Sequence, residues 1–348
     1  MTADPIGGVW NYAVELCTAL ARHDVSVYLA TLGAEPSATQ QAQLAPLPNV
    51  TIFPSSFRLE WMPTAWHDLT LAGEWLLSLE KALRPDLVHL NHLVHADLPW
   101  RAPVVTVGHS CVISWWSAVH GTPCPPEWQE YRSRVTRSLR AARCVVAPTW
   151  AMLVELERNY GPLRTAVVIP NARDQRGFKV EAKERMVLAA GRVWDAAKNI
   201  AMLAAIAPEI SGPVVVAGEL AAPYGAQTSL PSVTLLGAVG PACLSEWYAK
   251  AAIYALPARY EPFGLTALEA ALSGCALVLG DIDSLHEVWG PAACYVSPDR
   301  RAEWRDTVND LLTDGVSRAR LSAAAMARAR HFAPARLARR YLSLYRKV

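Results

Sequence analysis

Twelve short, nearly unbroken apolar runs recur along this chain with helix-patterned segments between them, and no other feature restricts its fold so strongly. Six lie at 25–30, 50–53, 87–90, 104–107, 144–147 and 166–169. Six more lie at 187–190, 214–217, 233–236, 253–256, 276–279 and 293–296. An apolar run without polar alternation predicts a strand buried on both faces. Such strands joined by helices, here near 69–83, 128–141 and 150–160 in the first series, predict parallel sheets covered on both sides. The polar, irregular stretch 170–179 separates the two series. The expectation is an α/β chain of two doubly wound, Rossmann-like domains facing a cleft. An N-terminal domain spans 1–170 and a C-terminal domain 171–331, with a last helix over 332–348. At 348 residues each domain has chain enough for its own core.

Composition narrows the function classes. Apolar residues at 52% and charged residues at 18% fit a packed globule and exclude a disordered chain. A net charge of +2 gives no general case for a nucleic-acid partner. After Asp314, however, no acidic residue follows, while Arg318, Arg328, Arg339, Arg346, Lys347 and other basic residues do. The solvated face of terminal helices is the simpler account, and peripheral contact with an anionic membrane is the alternative. The seven cysteines show no close pairs and no metal-ligand spacing, which fits a reducing cytoplasm. Two long uncharged stretches, 102–126 and 220–245, are broken by Gly, Pro and Ser too often to span a membrane.

In open α/β sheets ligands bind beyond the carboxyl ends of the strands. Gly7-Gly8 opens the first helix as a close-approach loop, yet only Met1-Thr2-Ala3-Asp4 precedes it where a full strand is expected. The expectation is a chain that begins further upstream, or a domain short of most of its innermost strand and missing a pairing edge. His109 follows the strand at 104–107, with Trp115-Trp116 beyond it. Asn171 follows Ile169-Pro170, where a turn or a cap serves equally well. In the second series Gly191-Arg192 ends one strand and Lys198 lies six residues on. Two cations at one strand end suit a diphosphate, Arg as a fork and Lys as a point charge. Gly218-Glu219 ends the next strand and either touches a base or turns the chain.

The densest chemistry lies between Tyr254 and Gly280, which reads strand, loop, helix, strand. Pro262-Phe263-Gly264 opens a helix whose free N–H groups and partial positive charge favour a phosphate, and Gly264 lets backbone approach it. Glu261 and Glu269 bracket that start. Carboxylates repel phosphate, so hydroxyls are their expected partners, and phosphate with many hydroxyls suggests a nucleotide sugar. Asp281-Ile282-Asp283 has the spacing of a metal pair, but Asp283 or Ser284 as a helix cap is preferred. Neither a phosphate-binding P-loop nor a dinucleotide fingerprint occurs, and no nucleophile elbow does.

With these residues assembled, the chain resembles retaining glycosyltransferases of family 4, with the GT-B fold of two Rossmann-like domains. The resemblance rests on Gly7-Gly8-Val9-Trp10, His109, Ile169-Pro170-Asn171, Gly191-Arg192 with Lys198, and Glu261-Pro262-Phe263-Gly264-Leu265 with Glu269. It implies that Arg192 and Lys198 hold the donor diphosphate, Glu269 the ribose and Glu261 the donor sugar. Amides near Phe263, Gly264 and Leu265, with Gly8 opposite, would contact phosphate and sugar, and His109 would sit by the transferred sugar and the acceptor. It further implies a saccharide or other hydroxyl acceptor, retention of configuration, and a last helix that returns to the N-terminal domain. No cofactor is implied beyond the donor itself, and no metal, since fixed cations take its place. The family's linker usually continues Asn-Gly, whereas here Asn171-Ala172-Arg173-Asp174 stands.

Two rival readings share the donor. A nucleotide-sugar epimerase of the same fold would need acid–base groups and no acceptor pocket. The other is a catalytically impaired sugar-nucleotide-binding protein. Trp115-Trp116, with Trp61 and Trp66, favours an acceptor surface, although core packing accounts for some of them equally well.

Overall fold

The computed structural model describes residues 1–222 and 229–348; positions 223–228 of the uncharged stretch 220–245 lie outside the described residues. The chain divides into two compact units. One is Met1–Ala172 with Pro334–Val348, and the other is Arg173–Ala333.

In the first unit the strands are β1 (Thr2–Ala3), β2 (Val27–Thr31), β3 (Val50–Phe53), β4 (Val88–Leu90), β5 (Val104–Val107), β6 (Cys144–Ala147) and β7 (Ala166–Val168). In the second they are β8 (Glu184–Ala190), β9 (Val214–Ala217), β10 (Thr234–Gly237), β11 (Ala251–Leu256), β12 (Ala276–Gly280) and β13 (Cys294–Val296). The pairings are parallel. Every residue of β5, β6, β9, β11 and β12 is buried, the two-sided cover that their apolar runs require.

The innermost strand is short, as expected: β1 holds only Thr2 and Ala3. Thr2 and Ala3 pair in parallel with Ala30 and Thr31, so β2 keeps its neighbour. The strand is nevertheless too short to extend a ladder to β4, and the unit carries a sheet β1-β2-β3 and a separate sheet β4-β5-β6-β7. A side chain bridges the division: the Asn91 amide nitrogen donates to the Thr2 carbonyl at 2.7 Å, and its backbone N–H donates to the Thr2 hydroxyl at 2.8 Å.

The terminal helix Pro334–Tyr345 buries Leu337, Ala338, Tyr341 and Leu344 in the core of the first unit, beside Leu16, Cys17 and Val146. These positions form one helical stripe, and Arg336, Arg339 and Arg340 point to solvent. The stretch 102–126 holds β5 and the nine-residue helix Val112–His120. Among the described residues no helix is long and apolar enough to cross a membrane.

Tyr341 is fully buried. Its replacement by Ala should cost roughly 3–5 kcal/mol. We expect the loss in the unfolding of the first unit, read by hydrogen exchange in β2 and β6, with β11 and β12 keeping their protection.

Candidate functional site

The sheet of the second unit runs β10-β9-β8-β11-β12-β13. Strand order reverses between β8 and β11, so the connections leaving their carboxyl ends part to opposite sides and open a crevice there. Gly191, Arg192 and Lys198 follow β8, and Glu261, Phe263 and Gly264 follow β11. The fold therefore brings these six predicted residues to one place.

Lys198 and Glu261 close across the reversal, with Nζ 2.5 Å from Oε2. The other oxygen of Glu261 accepts from the N–H groups of Gly264 at 2.8 Å and Phe263 at 3.3 Å. This pattern corrects one expectation. The amides of Phe263 and Gly264 serve Glu261, and the Phe263 ring packs edge-on against Phe332. The free donors of the helix Leu265–Leu272 are those of its first turn, from Leu265 onward, which have no partner inside a helix. Gly264 enters this helix at φ 88°, a left-handed conformation that suits glycine. Burial pushes the Glu261 carboxyl up, but the Lys198 charge and the hydrogen bonds prevail and hold it below the ordinary range.

Arg192 is partly exposed and donates to Asp195 Oδ2 at 2.7 Å, while its guanidinium lies over the Trp194 ring. Asp195 also caps the turn Ala196–Lys198 by accepting from Ala197 N–H. Sequence reasoning missed Asp195; its signal was an acid three residues after Arg192, leading into a turn. Gly218 follows β9 so close to Gly191 that a Cβ on it would lie 1.7 Å from the Gly191 carbonyl oxygen. Its glycine is therefore required by strand approach. The Glu219 side chain is exposed and its carbonyl accepts from Val193 N–H, a turn contact.

Glu269 sits apart from Lys198, on the buried face of the same helix, and pairs with Arg173 at 2.8 Å. Burial raises its carboxyl above the ordinary value, against the pull of Arg173 and the Tyr248 hydroxyl. Arg173 occupies the linker position where the chain departs from Asn-Gly, and it too went unforeseen. Another correction concerns the loop after β12. Neither Asp283 nor Ser284 caps the helix Asp283–Trp289; its first residue is preceded by Ile282, and no side chain caps it. Ser284 instead donates to the Glu261 carbonyl at 2.6 Å, and Asp281 pairs with His286. Among the described residues no group of three or more His, Cys, Asp or Glu is placed to hold a metal ion.

In the first unit Gly7 (φ 86°) and Gly8 are exposed at the start of the helix Gly8–Leu20, and Asn171 is buried at the unit's end. His109 lies just past β5, partly exposed, with Nε2 3.0 Å from Asn91 Oδ1 and its ring edge-on to Tyr12. Burial lowers its pKa to about 3, so the ring is neutral at physiological pH. Trp115 and Trp116 are half-buried and stack edge-on, whereas Trp61 packs into an apolar cluster with Leu59 and Met62. The terminal basic residues Arg339, Arg346 and Lys347 line an open depression of about 610 Å³ with His23.

The profile described as Glycosyltransferase Family 4 matches residues 6–176, and that described as Glycosyl transferases group 1 matches 184–314. A D-inositol 3-phosphate glycosyltransferase of Corynebacterium efficiens is 24% identical over 97% of this chain and 90% of its own length. The sucrose-phosphate synthase of Thermosynechococcus elongatus superposes with a TM-score of 0.82 at 19% identity, covering 99% of this chain and 98% of that one. Anabaena HepE, solved with UDP and glucose, gives 0.76 at 16% identity over 98% and 96%. The architecture is GT-B.

The Lys198–Glu261 pair carries a prediction with a definite sign. With its carboxyl held below the ordinary value, Glu261 adds stability that is fully present above the unfolded pKa and is lost as pH falls through the folded value. In Lys198→Met burial acts with its main opponent gone, the folded pKa rises, and stability is instead lost as pH climbs past the ordinary carboxylate range. We expect a loss of roughly 3 kcal/mol at neutral pH that shrinks toward pH 4, measured by urea unfolding across that range.

Proposed function

The chain belongs to glycosyltransferase family 4, and on that premise we propose that it moves a sugar from a nucleotide-diphosphate donor to an acceptor hydroxyl with retention of configuration. The observation that carries this reading is the set of groups at the β8/β11 reversal. Arg192, Lys198 and the first turn of Leu265–Leu272 supply positive potential at one crevice, with the Glu261 carboxylate held beside it by Lys198.

Lys198 has three N–H donors and gives one to Glu261, so two remain for phosphate oxygens; Arg192 likewise has donors beyond the one given to Asp195. As the bond between sugar and diphosphate breaks, negative charge grows on the leaving phosphate. The two cations and the helix start stabilise that charge without reorganising. Glu261, ionised and fixed by Lys198, accepts from donor-sugar hydroxyls. Glu269 accepts from the ribose. The acceptor hydroxyl attacks from the face the diphosphate leaves and passes its proton to the departing phosphate oxygen, which preserves the configuration.

A panel of nucleotide sugars, led by UDP-glucose, tests this. The true donor should raise the melting temperature, by about 2.7 kcal/mol of added stability at a hundredfold excess over Kd. Nucleoside diphosphate should then be released only when an acceptor is supplied, and NMR of the product should show the donor's anomeric configuration. Lys198→Ala should lower kcat by roughly 10²–10³. Near-wild-type turnover by that variant with a confirmed donor would sink the proposal, and donor epimerisation without transfer would return the chain to the epimerase reading.

A further inference from the structure

Resting on that reading, we infer that Asn91 is a positioning residue: it fixes His109 as the Nε2–H tautomer and thereby presents Nδ1 as an acceptor for a substrate hydroxyl. Asn91 follows β4 directly. Its amide nitrogen faces the Thr2 carbonyl at 2.7 Å, an arrangement that works in one orientation only, since the amide oxygen in that place would meet another oxygen. The Oδ1 atom is therefore assigned by its surroundings, and it can only accept.

Two imidazoles approach this oxygen, His89 Nε2 at 3.1 Å and His109 Nε2 at 3.0 Å. Both nitrogens must carry a proton. Burial lowers both pKa values to about 3, so neither ring takes a second proton at neutral pH. The other nitrogen of each ring is then a lone pair. In His89 it accepts from the Tyr345 hydroxyl at 2.6 Å, which burial keeps protonated. In His109 it has no partner among the described residues, and the residue lies half-buried at the carboxyl end of β5.

The neighbouring bonds agree in direction. The Asn91 backbone N–H donates to the Thr2 hydroxyl, which leaves that hydroxyl to donate to His92 Nδ1 at 3.1 Å. His92 Nε2 then donates to His95 Nδ1 at 2.9 Å, and His95 Nε2 to the Leu69 carbonyl at 2.7 Å. Every donor in this buried network has an acceptor only if these rings share the Nε2–H form. His109 thus accepts a hydrogen bond from a hydroxyl and offers it none from Nδ1. It orients that hydroxyl without taking its proton.

Imidazole ¹⁵N labelling with long-range ¹H–¹⁵N correlation reads the tautomer without turnover. The wild type should show His109 with a protonated Nε2 and a bare Nδ1; the reverse tautomer, or an average of the two, overturns the inference. In Asn91→Ala the two forms should average and kcat should fall by up to about a hundredfold, with donor KM unchanged. A single tautomer with undiminished kcat in that variant also overturns it. Should Asn91→Ala not fold, the wild-type spectrum still decides, since a single Nε2–H form supports the inference and any other result overturns it. If no nucleotide sugar is ever transferred, the proposed function fails while the spectrum still decides the role of Asn91 toward His109.

Discussion

The ion pair between Lys198 and Glu261 is the contact on which the second unit's chemistry depends. It joins the connections that leave β8 and β11 at the point where the sheet reverses, and it sets what each neighbour can do. Because Glu261 is neutralised by Lys198, its second oxygen can take the Phe263 and Gly264 amides and hold the helix start in place. Arg259 N–H, from the same loop, donates to the Ala197 carbonyl and ties the Lys198 turn to β11 a second time. A buried charge pair of this kind contributes little net stability and is costly to break, so its use lies in geometry.

Glu269 shows the opposite arrangement. Arg173 reaches it from the linker, yet burial outweighs that partner, and the carboxyl stays easier to protonate than a free one. Two glutamates eight residues apart on one loop and helix thus differ in readiness to ionise. One is a fixed anion, the other a group whose charge improves when hydroxyls donate to it.

Much of this was legible in the sequence, and the parts that were not share a cause. The apolar runs at 144–147 and 214–217 coincide with strands whose every residue is buried, because a run with no polar member leaves a parallel strand no exposed face. Strand ends then pointed to Lys198 and Glu261 at one sheet reversal, where the two side chains meet. What remained hidden were partners supplied across the fold: Arg173 to Glu269, Ser284 to the Glu261 carbonyl, Asn91 to His109. Spacing along a chain carries no record of these. The shortness of the first strand was legible as well, though not its pairing with β2. Two residues are too few to recognise by pattern, but Asn91 completes their pairing from another strand's end.

The placement of Pro334–Tyr345 in the first unit has a consequence for how the protein is made. The second unit is a continuous stretch of chain and can close its core as soon as residue 333 has left the ribosome. The first unit starts earlier but lacks Leu337, Tyr341 and Leu344 until that later stretch has emerged. Domains are commonly taken to mature in the order in which they are translated. Here that order is inverted: the unit begun first is finished last, and until then the apolar surface beside Leu16 and Val146 stays open to chaperones.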